Sequence, residues 1–333
     1  MTYSIIVAVF NRPQELHELL ESLTTQTLKD FEVVVVEDGS TITSRDVCNI
    51  YASQLNIRYF EKTNSGPGPS RNYGCRRASG DVFIFLDSDC TVSPDYMLSV
   101  DKGMRENKLD AFGGPDREHD SFTPMQKAIN YAMTSVFTTG GIRGGKKNIT
   151  GKFHPRSFNM GISREVFNET DGFSSMRFGE DIDLSIRIIK AGFKTGLLQD
   201  AWVYHKRRTD LKKFFKQVHN SGIARINLSL RHAGTLKIPH YFPAAFTIYT
   251  FIALAYTPMT HNGWYGLLPL ALYELMILIH ATLLMKSVSI GLLSVVASYV
   301  QLIGYGTGFI RGFVLRILLN KPEMHAFEKT LYS

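Results

Sequence analysis

Phe83-Ile84-Phe85-Leu86-Asp87-Ser88-Asp89 is the stretch on which the reading of this chain turns. Four apolar residues predict the end of a strand buried on both faces. Two carboxylates follow at i and i+2, and in a strand that continued they would share one side. In open α/β sheets the ligand crevice lies just beyond the carboxyl ends of the strands. Two acids there repel unless a cation sits beside them. Hard oxygen ligands favour Mg²⁺ or Mn²⁺, ions that usually also hold a substrate phosphate. Taken alone, Asp-x-Asp is equally an Asp-rich turn closing a strand, so the flanking sequence has to decide.

Upstream, residues 4–10 are a continuous apolar run, as in a doubly buried strand. Asn11-Arg12-Pro13 breaks it, and Leu16, Leu19, Leu20 and Leu23 then recur at helical spacing. Residues 31–36 predict a second buried strand, ending in Glu37-Asp38-Gly39-Ser40. Residues 47–55 read as a helix, 57–60 as a short strand, 64–69 as a rigid turn-rich loop and 70–78 as a helix. Strands alternating with helices predict an α/β fold, a mostly parallel sheet flanked by helices. Asn11, Asp38, Asp87 and Asp89 gather at strand ends. Asp38 has two readings there: an acceptor for a base or ribose, and a cap or turn former. The Gly66/Gly68 loop has no Gly-Lys-Ser/Thr after it, and no dinucleotide-binding glycine pattern follows the first strand.

Six pieces in this order resemble family 2 glycosyltransferases, nucleotide-sugar-dependent enzymes of the GT-A fold. They are residues 4–12, Val36-Glu37-Asp38-Gly39-Ser40, Asn64-Ser65-Gly66-Pro67, Arg71-Asn72-Tyr73-Gly74, Ala78-Ser79-Gly80-Asp81 and Leu86-Asp87-Ser88-Asp89. The resemblance implies that Asp38 binds the nucleotide base and that Arg71 lies beside the nucleotide. It implies that Asp87 and Asp89 serve the ribose and the metal-diphosphate, Asp89 being the closer ligand of a Mn²⁺ or Mg²⁺ ion. It sets Val9, Asn11, Arg12, Gly66 and Ser88 along the same nucleotide.

Downstream, Ser93 and Pro94 predict a helix start. Residues 122–137 are apolar and amphipathic, with two readings open: core packing, and a flank that touches lipid. Residues 140–153 are glycine-rich and basic, with Arg143, Lys146, Lys147 and Lys152, and read as a mobile loop. Gly172-Phe173 and then Gly179-Glu180-Asp181-Ile182-Asp183 precede Leu184, Ile188 and Ile189 at helical spacing. Acids at a helix N-terminus are favoured by its dipole. In the resembling family this place carries the catalytic base, which lands on Asp181, with Glu180 in support; Asp183 reads as a capping or solvated acid. His205 ends a predicted strand. The resemblance adds it as a further metal ligand. Processive synthases of the family carry Gln-x-x-Arg-Trp downstream, whereas this chain has Gln217-Val218-His219-Asn220-Ser221, which argues for transfer of one or a few sugars.

The chain has 333 residues, a formal net charge of +7 and a pI near 9.2. The basic surplus concentrates between Lys206 and Lys237, with little aromatic interleaving, which argues against nucleic acid. Three scattered cysteines predict no disulfide framework, and the opening residues predict no signal peptide. Apolar segments at 241–259, 264–285 and 288–310 each approach the ~20 residues a spanning helix needs. The basic cluster before them predicts a cytoplasmic face for residues 1–208. A third crossing would put Arg311, Arg316, Lys321 and Lys329 outside, against that tendency. Gly304, Gly306 and Gly308 leave spanning, re-entrant and interfacial readings open for the segment. Glu274 and His280 inside the second segment need polar partners.

The sequence thus predicts a GT-A catalytic domain over residues 1–208, a basic amphipathic connector over 209–238, two to three membrane helices over 239–312 and a tail over 313–333. The expected activity is inverting transfer from a nucleoside-diphosphate sugar, UDP-linked, to a lipid-linked saccharide or glycolipid. The expected setting is cell-envelope polysaccharide synthesis at the inner (cytoplasmic) membrane. Transfer to polyprenyl phosphate is the near rival. A sugar-phosphate nucleotidyltransferase would need a Gly-rich basic loop after the first strand, which residues 6–12 lack. A membrane scaffold with an inactive transferase domain is the non-enzymatic rival, opposed by intact Asp87, Asp89 and Asp181.

Overall fold

The computed structural model of the chain describes residues 1–117, 122–140, 153–205 and 210–323. In chain order the elements are β1 (Tyr3–Val9), α1 (Pro13–Thr24), β2 (Phe31–Asp38), α2 (Arg45–Tyr51), β3 (Asn56–Lys62), α3 (Pro67–Cys75), β4 (Val82–Leu86), β5 (Cys90–Val92) and α4 (Tyr96–Asn107). Then come β6 (Ala111–Gly113), β7 (Asp116–Arg117), α5 (Pro124–Thr134), α6 (Val136–Thr139), β8 (Asn159–Ser163), α7 (Arg164–Thr170), α8 (Glu180–Lys190), β9 (Thr195–Leu197) and β10 (Val203–His205). Four long helices close the chain: α9 (Leu211–Arg231), α10 (Phe242–Tyr256), α11 (Leu268–Met285) and α12 (Val288–Phe313). Of the described residues, 1–117 and 153–205 form one compact unit, and 122–140 with 210–323 form another.

The first unit is a mixed α/β structure. Its main sheet runs β3-β2-β1-β4-β8-β6-β9, parallel except that β8 is antiparallel to both neighbours. Strand alternation divides the core between two faces. Tyr3, Ile5, Val7 and Val9 of β1 join Leu16, Leu19, Leu20 and Leu23 of α1 on one side. Ile6, Val34 and Val36 join Cys75, Leu184 and Ile188, from α3 and α8, on the other. The predicted strands and helices of the first ninety residues are therefore all present. The helix expected after Ser93 begins instead at Tyr96, because Pro94 sits in a turn closed by the Tyr96 N–H donating to Ser93 O.

A second, three-stranded sheet, β5-β10-β7, matters for the site. The strand β4 stops at Leu86, and a turn closed by the Cys90 N–H to Asp87 O carries the chain into β5. Asp87 and Asp89 are thus turn residues rather than alternate positions of one continuing strand. Antiparallel pairing sets His205 of β10 opposite Cys90, the residue after Asp89.

In the second unit, α5 packs Ala128, Ile129, Ala132 and Met133 against Phe214 and Val218 of α9 and Ala297 of α12. Residues 122–137 are core, but core of the helical unit. Three helices here are long and apolar enough to cross a membrane: Ile238–Met259, Gly263–Met285 and Val288–Leu318. The third is unbroken through its glycines, which serve close packing: a Cβ on Gly308 would collide with His219 O. Gly308→Leu should therefore cost at least about 1–3 kcal/mol through overpacking. Thermal unfolding of the detergent-solubilised chain checks this, with Gly266→Ala as control, since a Cβ there meets nothing nearer than 3.8 Å.

Candidate active site

Three strand ends and two helices supply the site. At the end of β1, Asn11 takes a left-handed conformation, φ 53°. Non-glycine residues hold such a backbone only where surroundings fix it. Here its side-chain Oδ1 accepts from the N–H groups of Thr41 and Ile42 at 2.8 and 3.0 Å. The chain then turns so that Arg12 Nη1 meets Asp89 Oδ2 at 2.7 Å. Val9 points into the core and leaves only its backbone for a ligand.

At the end of β2, Asp38 is 3% exposed. Its Oδ1 accepts from Lys62 Nζ at 2.7 Å and the Ser65 N–H at 2.8 Å, and its Oδ2 accepts from the Gly66 N–H at 2.8 Å. Asp38 thus holds the 62–66 loop in place. The turn-forming reading is realised, and Gly66, at φ 89°, opens α3 from that anchored loop.

The α3 helix then delivers Arg71, whose side chain is 6% exposed. Its Nη2 donates to Asp87 Oδ1 at 2.6 Å, its Nη1 lies 3.5 Å from Glu180 Oε1, and its guanidinium covers the Phe173 ring at 5.2 Å. One buried cation thus joins the acid beyond β4 to the first residue of α8. Among the described residues, Arg71 Nε is buried with no hydrogen-bond partner. Ser88, between the two acids, is buried.

At the start of α8, Asp181 Oδ2 accepts from Arg156 Nε at 2.6 Å and Oδ1 from the Ile182 N–H at 2.8 Å. Burial alone would raise this carboxyl, but Arg156 and the Ile182 N–H outweigh it and hold it below the ordinary aspartate value. Glu180 goes the other way. Burial and the Asp181 charge, only partly offset by Arg71, push it up to about 7. Asp183 is neither a free cap nor solvated: it is buried and accepts from Arg187 Nε at 2.9 Å.

The expected residues therefore converge: Asp89, Arg12, Asp87, Arg71 and Glu180 alternate in charge, and Asp181 stands beside Glu180 at the end of the series. Arg156 and Asp116 belong to the same field and were not anticipated. No local pattern marks an Arg twenty-five positions before its partner. The backbone of His205 ends β10, while its side chain and the basic residues Arg143, Lys146, Lys147 and Lys152 lie outside the described residues.

The Glu180 shift makes a stability prediction. The folded chain holds that proton more tightly than the unfolded chain. Its contribution favours folding in acid and is lost as pH rises from the ordinary 4.5 through about 7. Glu180→Gln should therefore raise the melting temperature at pH 8 relative to wild type and lose that advantage at pH 4.5, by thermal unfolding across the range.

Among the described residues no three or more His, Cys, Asp or Glu side chains gather as for a metal ion. What the chain offers is two hard carboxylates in one turn, each with a guanidinium against it. That donor chemistry fits a Mn²⁺ or Mg²⁺ ion completing its shell with phosphate and water.

The family model for glycosyl transferase family 2 matches residues 4–170. Among relatives, an uncharacterized glycosyltransferase of Rickettsia felis is 39% identical over 106 residues, 32% of this chain and 18% of that protein. The minor teichoic acid biosynthesis protein GgaB of Bacillus subtilis is 29% identical over 228 residues, 62% of this chain and 23% of that protein. This chain covers less than a quarter of either relative's length. Among solved structures, mannosyltransferase PcManGT from Pyrobaculum calidifontis, in complex with GDP-Man and Mn²⁺, superposes with a TM-score of 0.60 at 16% identity, over 93% of this chain and 86% of that one. Residues 1–349 of S. aureus TarS, in complex with UDP, give 0.50 at 16% identity, over 91% and 90%. These likenesses establish the GT-A fold.

Proposed function

The chain belongs to glycosyl transferase family 2, and from that premise we propose that this transferase moves a sugar, with inversion, from a UDP-linked donor to a hydroxyl of a lipid-linked saccharide or glycolipid. The observation that carries the reading is Arg71 bridging Asp87 to Glu180. It brings the nucleotide-side acids and the base-side acids to a common charge network.

In this reading the catalytic domain lies within residues 1–208 and works at the cytoplasmic face of the inner membrane, in cell-envelope polysaccharide synthesis. The GgaB likeness supports a cell-envelope setting. The complexes of PcManGT with GDP-Man and of TarS with UDP support a nucleotide-sugar donor. Asp38 keeps the Gly66 loop shaped for the nucleotide, and Asn11, the Val9 backbone, Arg12 and Ser88 border it. Asp89 and Asp87, with His205, would hold a Mn²⁺ or Mg²⁺ ion, which when bound supplies Lewis-acid stabilisation of the departing diphosphate.

Asp181 takes the proton of the acceptor hydroxyl as its oxygen attacks the anomeric carbon and the bond to the diphosphate breaks. Arg156 keeps Asp181 ionised, as a base must be. Glu180, held near neutrality, supports it from the same helix turn. A thermal-shift screen with Mn²⁺ and several nucleotide sugars tests the reading. Stabilisation by a UDP-sugar that needs Mn²⁺ is expected, and none with any nucleotide sugar would overturn it.

A further inference from the structure

The helical unit is layered, and its layers differ in chemistry. Its middle is α12. On one face, Gly304, Gly308 and Gly312 recur every four residues and abut α9: a Cβ on each would meet Val218, His219 and Ile226 respectively. Earlier on that face, Ala297 packs with α5. Two residues round from Gly304 and Gly308, Gly306 abuts Pro243 and Thr247, at α10. Two residues are about 200° of helix, so α9 and α10 lie on opposite sides of α12. On the α10 side, α11 also packs, through Tyr273 against Tyr299, and its Ile277, Ala281 and His280 reach Tyr131 on the flank of α5.

The outer surfaces contrast. Helix α9 exposes Lys212, Lys213 and Lys216, and α5 half-exposes Gln126, Lys127 and Asn130. Helices α10 and α11 expose Phe251, Ile252, Leu254, Leu272, Leu275 and Leu283. Moreover α9 runs parallel to α12, with Phe215 and Val218 at Gly304 and Ile226 at Gly312. Lys216 is therefore level with the middle of the 31-residue segment Val288–Leu318. Were α12 to cross a bilayer, this lysine row would stand near the midplane, where a charged side chain is costly. Among the described residues, Lys213 pairs with Asp210 at 3.3 Å.

We propose that this unit is monotopic. Its α10 and α11 layer sinks into the acyl region of a single leaflet of an anionic bilayer, and α9 and α5 face water. Charge complementarity supports that occupant. Lys237, Lys286 and Arg311 lie at the ends of the apolar helices, placed for lipid phosphates. A groove of about 630 Å³ between α10 and α12, lined by Ile248, Phe251, Ile252 and Ile310, has Arg311 in its wall. It fits one lipid chain and its phosphate. Exposed Tyr241, Tyr256, Trp264 and Tyr265 at the helix ends suit the headgroup level. No basic group then has to cross the membrane. The inference rests on membrane association of these helices and not on the chemistry proposed above.

The test is side-specific labelling of the full chain in sealed membrane vesicles of both orientations. Single variants Lys213→Cys, His261→Cys and Lys286→Cys are exposed to a membrane-impermeant maleimide. The native Cys48, Cys75 and Cys90 are buried. All three variants should label from one and the same face. Labelling of His261→Cys only from the face opposite Lys213→Cys, or from neither face although it labels in detergent, overturns the proposal. Recovery of the wild-type chain in the soluble fraction would instead remove the membrane association beneath it.

Discussion

Asp181→Asn should lower turnover by about 10²–10⁴-fold, the usual worth of a positioned general base, with donor affinity changed only a few-fold. The amide keeps the shape of the carboxylate but has no charge to accept the acceptor's proton. The pH profile separates Asp181 from its neighbour. The Asp181 carboxyl sits below its ordinary value, because Arg156 and the Ile182 N–H outweigh its burial. A rate governed by Asp181 is therefore flat through neutrality and falls only in acid, once Asp181 takes up its proton. A rate governed by Glu180 would fall as pH drops through about 7. Parallel loss of turnover and donor binding in Asp181→Asn, or an acid limb near 7 in wild type, would move the base role away from Asp181.

Arg71→Met should be the most damaging substitution for stability. The guanidinium is buried and is paired with two acids, Asp87 at 2.6 Å and Glu180 at 3.5 Å. Removing one partner of a buried ionic group typically costs about 3–5 kcal/mol, because the remaining charges stay buried and unpaired. The loss has a direction with pH. Below the raised Glu180 value that acid takes up a proton and no longer needs the cation. The drop in melting temperature should thus be larger at pH 8 than at pH 5. A variant as stable as wild type at pH 8 would show that Arg71 is not the joint between the two halves of the site.

Much of this was legible in the sequence because the information was local. Doubly buried parallel strands read as near-continuous apolar runs, so residues 5–10, 33–36 and 82–86 declared themselves. Their polar ends gave Asn11, Asp38, Asp87 and Asp89. What stayed hidden was pairing across distance. Nothing in the order of residues says that Arg156 holds Asp181, or that Arg12 meets Asp89 across 77 positions. Nor does it say that Asp38 spends both carboxylate oxygens on its own neighbouring loop. Residues 122–137 carried a clear amphipathic period, but a period identifies a buried face without naming its partner. Only the fold shows that the partners are α9, α11 and α12. The turn at Asp87–Asp89 replaced the continuing strand for a similar reason: β5 leaves β4 to pair with β10, a choice made by residues more than a hundred positions away.

Asp89 is the proposed grip on a metal-bound nucleoside diphosphate. Calorimetric titration of UDP into the full chain, with and without Mn²⁺, for wild type and Asp89→Ala, tests it. Wild type should bind UDP only with Mn²⁺, and Asp89→Ala should bind neither the ion nor the nucleotide measurably. Equal, Mn²⁺-dependent affinity in both proteins would contradict it.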